Sequence, residues 1–163
     1  MSHHHNRLQM GGGLPLLVSL SFSNQVLQRV KLTLSDCFWL EYEGFCPQER
    51  AVTEWFGAYL DGHSIPFPIP LSLDRLPPFT RQVLERLQKI PFGQTESYSD
   101  VAAGVGNRNS SRAVGNACRV NPFPLIIPCH RVLQKDGSLG GFAFGPEMKR
   151  AMLGFELEAL RVF

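Results

Sequence analysis

Features that would send a chain outside the cell or into a bilayer are missing here. The 163 residues contain only four cysteines, Cys37, Cys46, Cys118 and Cys129, and no CxxC pair. That spacing supports neither a zinc ribbon nor a secreted disulfide framework. No apolar run approaches the roughly 18 to 20 residues of a membrane span, and the start lacks the charged region, apolar core and cleavage site of a secretory signal. The expectation is free thiols in a reducing compartment, cytoplasmic, or nuclear in a eukaryote. Neither sign of charge dominates: the formal net of +2 is too small to announce an anionic partner. With 44% apolar and 18% charged residues the chain is neither disordered nor collagen-like, and its length suits one ordinary domain or two small ones.

Hydrophobic patterning divides what is present. Residues 1–13, with three consecutive histidines and Gly11-Gly12-Gly13, read as a flexible terminus or tag remnant outside the fold. Leu16 to Phe22 and Val26 to Leu34, rich in Val, Leu and Phe around Ser23-Asn24-Gln25, predict a hairpin. Cys37 to Tyr42 offers a third strand and Pro47 to Leu60 a helix, so residues 14–74 are expected to form a small α/β domain. Pro66, Pro68, Pro70, Pro77 and Pro78 mark a linker, with the boundary near Asp74. Beyond it, residues 75–163 read as mostly helical. Phe79, Val83, Leu84 and Leu87 have helical spacing, Ser97 or Ser99 can cap a short helix, and Ser110 or Ser111 a second. Two short helices around Gly106-Asn107 predict a helix-turn-helix. Pro146 suits the first position of a last helix, whose buried stripe is Met148, Ala151, Met152 and Phe155, with Glu156 at its border.

Charge is unevenly spread: residues 1–76 carry 5 Lys/Arg against 7 Asp/Glu, residues 77–163 carry 11 against 7. The second half is the basic one. Its second short helix presents Ala113, Val114, Ala117 and Cys118 on one stripe and Arg112, Gly115, Asn116 and Arg119 on the other. The first stripe reads as core, with Cys118 packing. The second offers two cations, an amide and a glycine that lets a partner's backbone approach, a surface suited either to a nucleic-acid groove or to solvent.

Chemistry concentrates at Pro128-Cys129-His130-Arg131-Val132, after the apolar run Leu125-Ile126-Ile127. An ordinary thiol is only a few per cent ionised at neutral pH, roughly, so an adjacent base changes its reactivity. Adjacent side chains in an extended segment would point to opposite faces, however, which leaves a buried structural cysteine beside a satisfied histidine as the alternative.

Six ordered blocks decide between these. Phe79-Thr80-Arg81-Gln82-Val83-Leu84, Ile90-Pro91-Phe92-Gly93, Ser97-Tyr98, Arg112-Ala113-Val114-Gly115, Asn121-Pro122 and Ile127-Pro128-Cys129-His130-Arg131-Val132, followed by Glu156, resemble the O6-alkylguanine-DNA alkyltransferases, the methylated-DNA–protein-cysteine methyltransferases. The resemblance covers about half the chain. It implies an α+β fold: a small N-terminal antiparallel sheet with a helix, ribonuclease H-like, and a mostly helical C-terminal domain. It also implies a single-turnover enzyme that flips a damaged guanine out of duplex DNA through the minor groove and moves its O6-alkyl group irreversibly onto Cys129.

By that resemblance Glu156 holds His130, which deprotonates Cys129 through a water, and Tyr98 donates to the departing base. Arg112 fills the gap left by the flipped nucleotide, and Ser97, Ala113, Gly115, Asn116 and Arg119 complete the DNA-binding surface. Tyr98, Asn121, Val132, Phe142 and Ala143 form the pocket, with backbone at Cys129 and Val132 receiving the exocyclic amine that adenine lacks there. Asn121 ties the recognition helix to the active-site loop, and Arg131 is structural. Phe142 stands where tyrosine is common and Phe144 where glycine is usual, so a narrower pocket is expected. No metal, cofactor or membrane partner is implied, and a monomer is the simplest expectation. Three rivals remain: a lesion-flagging relative without transfer, against which Cys129 argues; a helix-turn-helix regulator, which would need a second DNA-binding region; and a cysteine hydrolase, which leaves Tyr98 and Arg112 unexplained.

Overall fold

The computed structural model describes residues 4–161. Two stretches of alternating apolar residues, Leu16–Ser23 (β2) and Val26–Leu34 (β3), pair antiparallel through a two-residue turn. Asn24 and Gln25 both have positive φ there, 50° and 66°, the mirror-image turn geometry that matches strand twist. β2 buries Leu16, Val18, Leu20 and Phe22 on one face, and its backbone N–H and C=O groups on both edges need partners. Phe38–Glu43 (β4) supplies the second, running parallel to β2.

The sheet is therefore mixed, correcting the expected antiparallel one. His5–Met10 (β1) completes it, antiparallel to β4, in the order β1-β4-β2-β3. This corrects the exclusion of residues 1–13 from the fold; of that segment, residues 1–3 lie outside the described residues. The physical reason is that β4 would otherwise present an open edge. Alternating side chains of β1 also find partners: the Asn6 amide donates to Glu49 at 2.5 Å, and the Arg7 guanidinium lies 4.5 Å from the centroid of the Trp39 ring.

Glu49–Leu60 (α1) buries Val52, Trp55, Phe56, Tyr59 and Leu60. Phe56 meets Phe38 of the sheet with ring centroids 6.1 Å apart. Gly44, at φ +86°, follows β4 where a Cβ would stand 2.4 Å from the Phe22 carbonyl oxygen, so only glycine fits.

The chain divides into two compact units, one running to Ser72 and including the segment from Phe155, the other Leu73–Gly154. The second unit contains Pro78–Leu87 (α2), Glu96–Ser97 (β5), Tyr98–Gly104 (α3), Ser111–Arg119 (α4), a 3₁₀ turn at Cys129–Arg131, Val132–Leu133 (β6) and the first half of Pro146–Arg161 (α5). Ser97 caps α3 through a reciprocal capping box with Asp100. Arg86 of α2 forms a two-pronged ion pair with Glu96, at 2.7 and 2.8 Å, which fixes the start of β5 against α2. Two residue pairs, Glu96 with Val132 and Ser97 with Leu133, then join β5 and β6 in parallel. That short ladder brings the first turn of α3 beside the Cys129 turn. No described helix is long and apolar enough to cross a membrane.

Candidate active site

Within the second unit a cavity of about 590 Å³ is lined by Tyr98 from α3, by Arg112, Gly115, Asn116, Cys118 and Arg119 from α4, by Cys129, and by Gln134, Gly141, Phe142 and Ala143. Its floor begins with an unusual backbone. Leu125 has φ +73°, a conformation that costs a side-chain-bearing residue roughly 1–3 kcal/mol. Leu125, Ile126 and Ile127 are buried, and Asn121 clasps the same segment: its amide donates to the Ile127 carbonyl at 2.9 Å while its oxygen accepts from the Phe123 N–H at 2.9 Å. The chain thus enters a 3₁₀ turn at Cys129 rather than an extended strand. Consecutive residues in such a turn diverge by about a third of a circle, not by half, so Cys129 and His130 are not forced onto opposite faces.

Cys129 is 4% exposed and yet lines the cavity. Burial pushes its thiol above the ordinary value of 9.0, opposed by a hydrogen bond from Asn121, the positive charge of Lys149 and backbone N–H groups of Cys129 and His130. Burial thus favours the neutral thiol over the thiolate. Its compensating advantage is that nucleophilicity rises with thiol basicity. Tyr98 is likewise pushed up by burial, to about 12, so it stays a proton donor; its hydroxyl donates to the Gly141 carbonyl at 3.3 Å. Gly140, at φ +68°, passes where a Cβ would lie 3.2 Å from the Tyr98 ring.

Sequence reasoning missed Lys149. Its ammonium, fully buried, donates to the carbonyls of Val132 and Leu139, both at 2.6 Å, and reaches the Tyr98 hydroxyl at 3.5 Å. It also stands 5.7 Å and 5.9 Å from the ring centroids of Tyr98 and Phe142. Burial lowers its proton affinity, while neighbouring Cys118 and Cys129 act in the opposite direction. The available signal was its position: one residue after Met148 and three before Met152 on a helix, at the edge of the apolar stripe.

Arg112, Asn116 and Arg119 are exposed on the α4 face that borders the cavity, with Arg119 donating to Asn116; Gly115 is half-buried beside them. Ala113 and Ser97 are half-buried but do not line the cavity, and Ser97 is occupied as the α3 cap. Val132 is fully buried, is not part of the wall, and its carbonyl serves Lys149. Asn121 does not itself line the cavity; it holds the loop and reaches the Cys129 thiol from behind the wall. Cys118, expected to pack, opens on the cavity instead, with its thiol raised to about 12 by burial. Phe142 and Phe144 meet edge to face with centroids 5.7 Å apart. His130 and Glu156 are both fully buried, and Glu156 accepts a hydrogen bond from the Tyr59 hydroxyl at 3.1 Å. Arg131 donates to the Ile90 carbonyl at 2.8 Å, a structural contact.

A buried thiol, a tyrosine donor and a basic helix face thus share one cavity of the second unit. Comparison with known proteins makes this specific. Residues 78–158 match the family model described as 6-O-methylguanine DNA methyltransferase, DNA binding domain. A methylated-DNA–protein-cysteine methyltransferase of Mycolicibacterium paratuberculosis is 41% identical over 152 residues, covering 91% of this chain and 85% of that protein. A probable member from Acanthamoeba polyphaga mimivirus is 48% identical over 79 residues, 48% of this chain and about half (52%) of the viral protein. Among solved structures, Mycobacterium tuberculosis OGT in complex with DNA superposes with a TM-score of 0.72 at 27% identity, over 88% of this chain and 94% of that one. The chain belongs to the O6-methylguanine-DNA methyltransferase family.

Proposed function

We propose that this protein, a methylated-DNA–protein-cysteine methyltransferase by family, repairs duplex DNA by taking the alkyl group of O6-alkylguanine onto Cys129, once per molecule. The observation that carries this proposal is that Cys129, Tyr98 and the α4 face bearing Arg112 share one cavity. In the proposed sequence α4 enters the minor groove, Arg112 takes the place of the flipped nucleotide, and the base enters between Tyr98 and the Phe142–Ala143 segment. His130, oriented by Glu156, accepts the Cys129 proton through a water. The thiolate attacks the alkyl carbon; the S–C bond forms as the C–O6 bond breaks, and the electron pair passes to guanine. Tyr98 meets that charge with a hydrogen bond or proton to the ring nitrogen facing it. The raised thiol fits a mechanism in which deprotonation waits for the substrate.

Low sequence preference follows from the degenerate minor-groove code. The Phe142–Phe144 pair favours small alkyl groups, and a single copy of the chain acts where DNA is, in cytoplasm or nucleus. Val132, with its carbonyl already serving Lys149, is a weaker candidate for base recognition than the backbone at Ala143. Intact-protein mass spectrometry after mixing with excess duplex containing O6-methylguanine tests the proposal. One added methyl per molecule, absent from Cys129→Ala, is expected. Tight lesion-selective binding without a mass gain would mark a lesion-flagging protein instead, and no preference for the lesion would reject both.

A further inference from the structure

Gln134 lines the cavity together with Ser111 and Arg112 of α4, and the proposed chemistry gives it no part. Its backbone is tied down. It follows β6 directly; its N–H donates to the Ser138 carbonyl at 2.9 Å and its own carbonyl accepts from the Gly137 N–H at 2.9 Å. Asp136 closes the same turn, accepting from the Ser138 N–H at 3.0 Å and from the Ser138 hydroxyl at 2.7 Å. Gly137, at φ +85°, supplies the left-handed residue this turn needs. From that anchored position the side chain crosses Gly140, where a Cβ would lie 3.2 Å from the Gln134 amide nitrogen and 3.2 Å from the Tyr98 ring. The amide and Tyr98 are therefore neighbours over bare backbone. Gln134 is exposed, and its amide takes part in no hydrogen bond among the described residues, so it is open to a ligand.

The rest of the lining indicates which ligand. It includes two arginines, Arg112 and Arg119, and no aspartate or glutamate, which suits an anion. A nucleotide whose base lies between Tyr98 and the Phe142–Ala143 segment brings its phosphodiester charge with it, and side-chain amides are among the ordinary donors to phosphate oxygens. We propose that Gln134 is a further DNA-binding residue: its amide donates to a phosphodiester oxygen of the nucleotide whose base occupies the cavity, and holds that nucleotide while Cys129 reacts. This rests on the proposed repair of O6-alkylguanine. Every residue it uses lies in the unit Leu73–Gly154. The consequence is that the turn after β6 belongs to the DNA-binding surface along with α4, and that a free base gains nothing from it.

The experiment compares two methyl donors, an O6-methylguanine duplex and the free base O6-methylguanine, which has no phosphate. Transfer to the full chain and to Gln134→Ala and Gln134→Glu is followed by intact-protein mass spectrometry, with donor in excess at several concentrations. With the duplex, Gln134→Ala should raise the half-saturating concentration about tenfold, equivalent to losing one hydrogen bond to a charged group, and leave the limiting rate unaltered. Gln134→Glu should bind more weakly still, because its carboxylate faces the phosphate, and this extra deficit should shrink as salt is added. With the free base all three proteins should react within about twofold of one another, which also shows that the variants are folded. Equal losses on both donors would overturn the inference, by assigning Gln134 to the base or to the shape of the pocket. Parental half-saturation of Gln134→Ala by the duplex would overturn it too, as would Gln134→Glu matching Gln134→Ala at low salt. Failure of the unaltered chain to take methyl from either donor would instead reject the repair reading, and the inference with it.

Discussion

Replacing Lys149 with methionine should loosen the cavity wall and destabilise the protein measurably. The ammonium makes two hydrogen bonds at 2.6 Å to carbonyls that join β6 to the segment leading into Gly140. Each such bond to a charged donor contributes about 1.5–3 kcal/mol, and each carbonyl left buried without a donor costs about 1–3 kcal/mol. These are two descriptions of one loss and are not added. Against the loss, methionine avoids burying a charge, a burden visible in the lowered proton affinity of Lys149. The net expectation is about 2–4 kcal/mol. For a chain of this length each kcal/mol lowers Tm by about 2–4 °C, so a fall of roughly 5–15 °C should appear by differential scanning calorimetry.

A second effect is independent of the first. Lys149 is a positive charge that favours the Cys129 thiolate. Without it the thiol moves further up, and iodoacetamide labelling of Cys129 at pH 9 should slow several-fold. Lys149→Arg should not restore either property, because the rigid, larger guanidinium cannot occupy a site built around two close carbonyls. A Tm within about 2 °C of the parent together with unaltered labelling would refute the reasoning, by showing the two carbonyls to be satisfied without the ammonium.

Alkylation of Cys129 by iodoacetamide in the absence of DNA should keep rising beyond pH 9, since burial raises that thiol above 9.0; a plateau below pH 8 would contradict the burial argument. Stability has the matching sign: the folded state holds protons on Cys129, Cys118 and Tyr98 that the unfolded chain releases earlier, the latter two rising to about 12. The stabilisation is complete below about pH 9 and is lost as pH climbs through the folded values, so Tm should fall between pH 9 and 12. Arg112→Ala should weaken binding to lesion duplex and reduce the salt dependence of log K by about one unit, read by fluorescence anisotropy at several salt concentrations. Gly44→Ala, which places a Cβ 2.4 Å from the Phe22 carbonyl oxygen at φ +86°, should cost about 2–4 kcal/mol and be visible as a lowered urea midpoint.

Local elements were legible because their signals are local. The β2–β3 hairpin, the Ser97 cap, the Pro146 start of α5 and the adjacent thiol and imidazole of Cys129 and His130 are each written in a few adjacent residues. β1 escaped because histidines and glycines around Asn6–Met10 resemble a tail. Its strand exists to cover the edge of β4, a requirement seen only once β2 is recognised as the central strand. Cys118 was misplaced for a related reason: helical spacing puts it in a stripe with Val114 and Ala117, and spacing cannot say where that stripe leaves the core and meets a cavity.

By itself the sequence determined that a thiol–histidine pair follows a buried apolar run, that a basic helix face precedes it, and that the ordered blocks belong to one family. Those properties depend on residue type and order along the chain. The tertiary structure alone decided that Leu125 and Asn121 bend the segment into a 3₁₀ turn, that two paired residues of β5 and β6 set Tyr98 beside Cys129, and that Lys149 and Tyr59 place their polar atoms inside. Burial turns a lysine into a clamp and a tyrosine into a buried donor. The energy of a charge or hydroxyl depends on its solvent and its partners, and neither exists until the chain has folded around it.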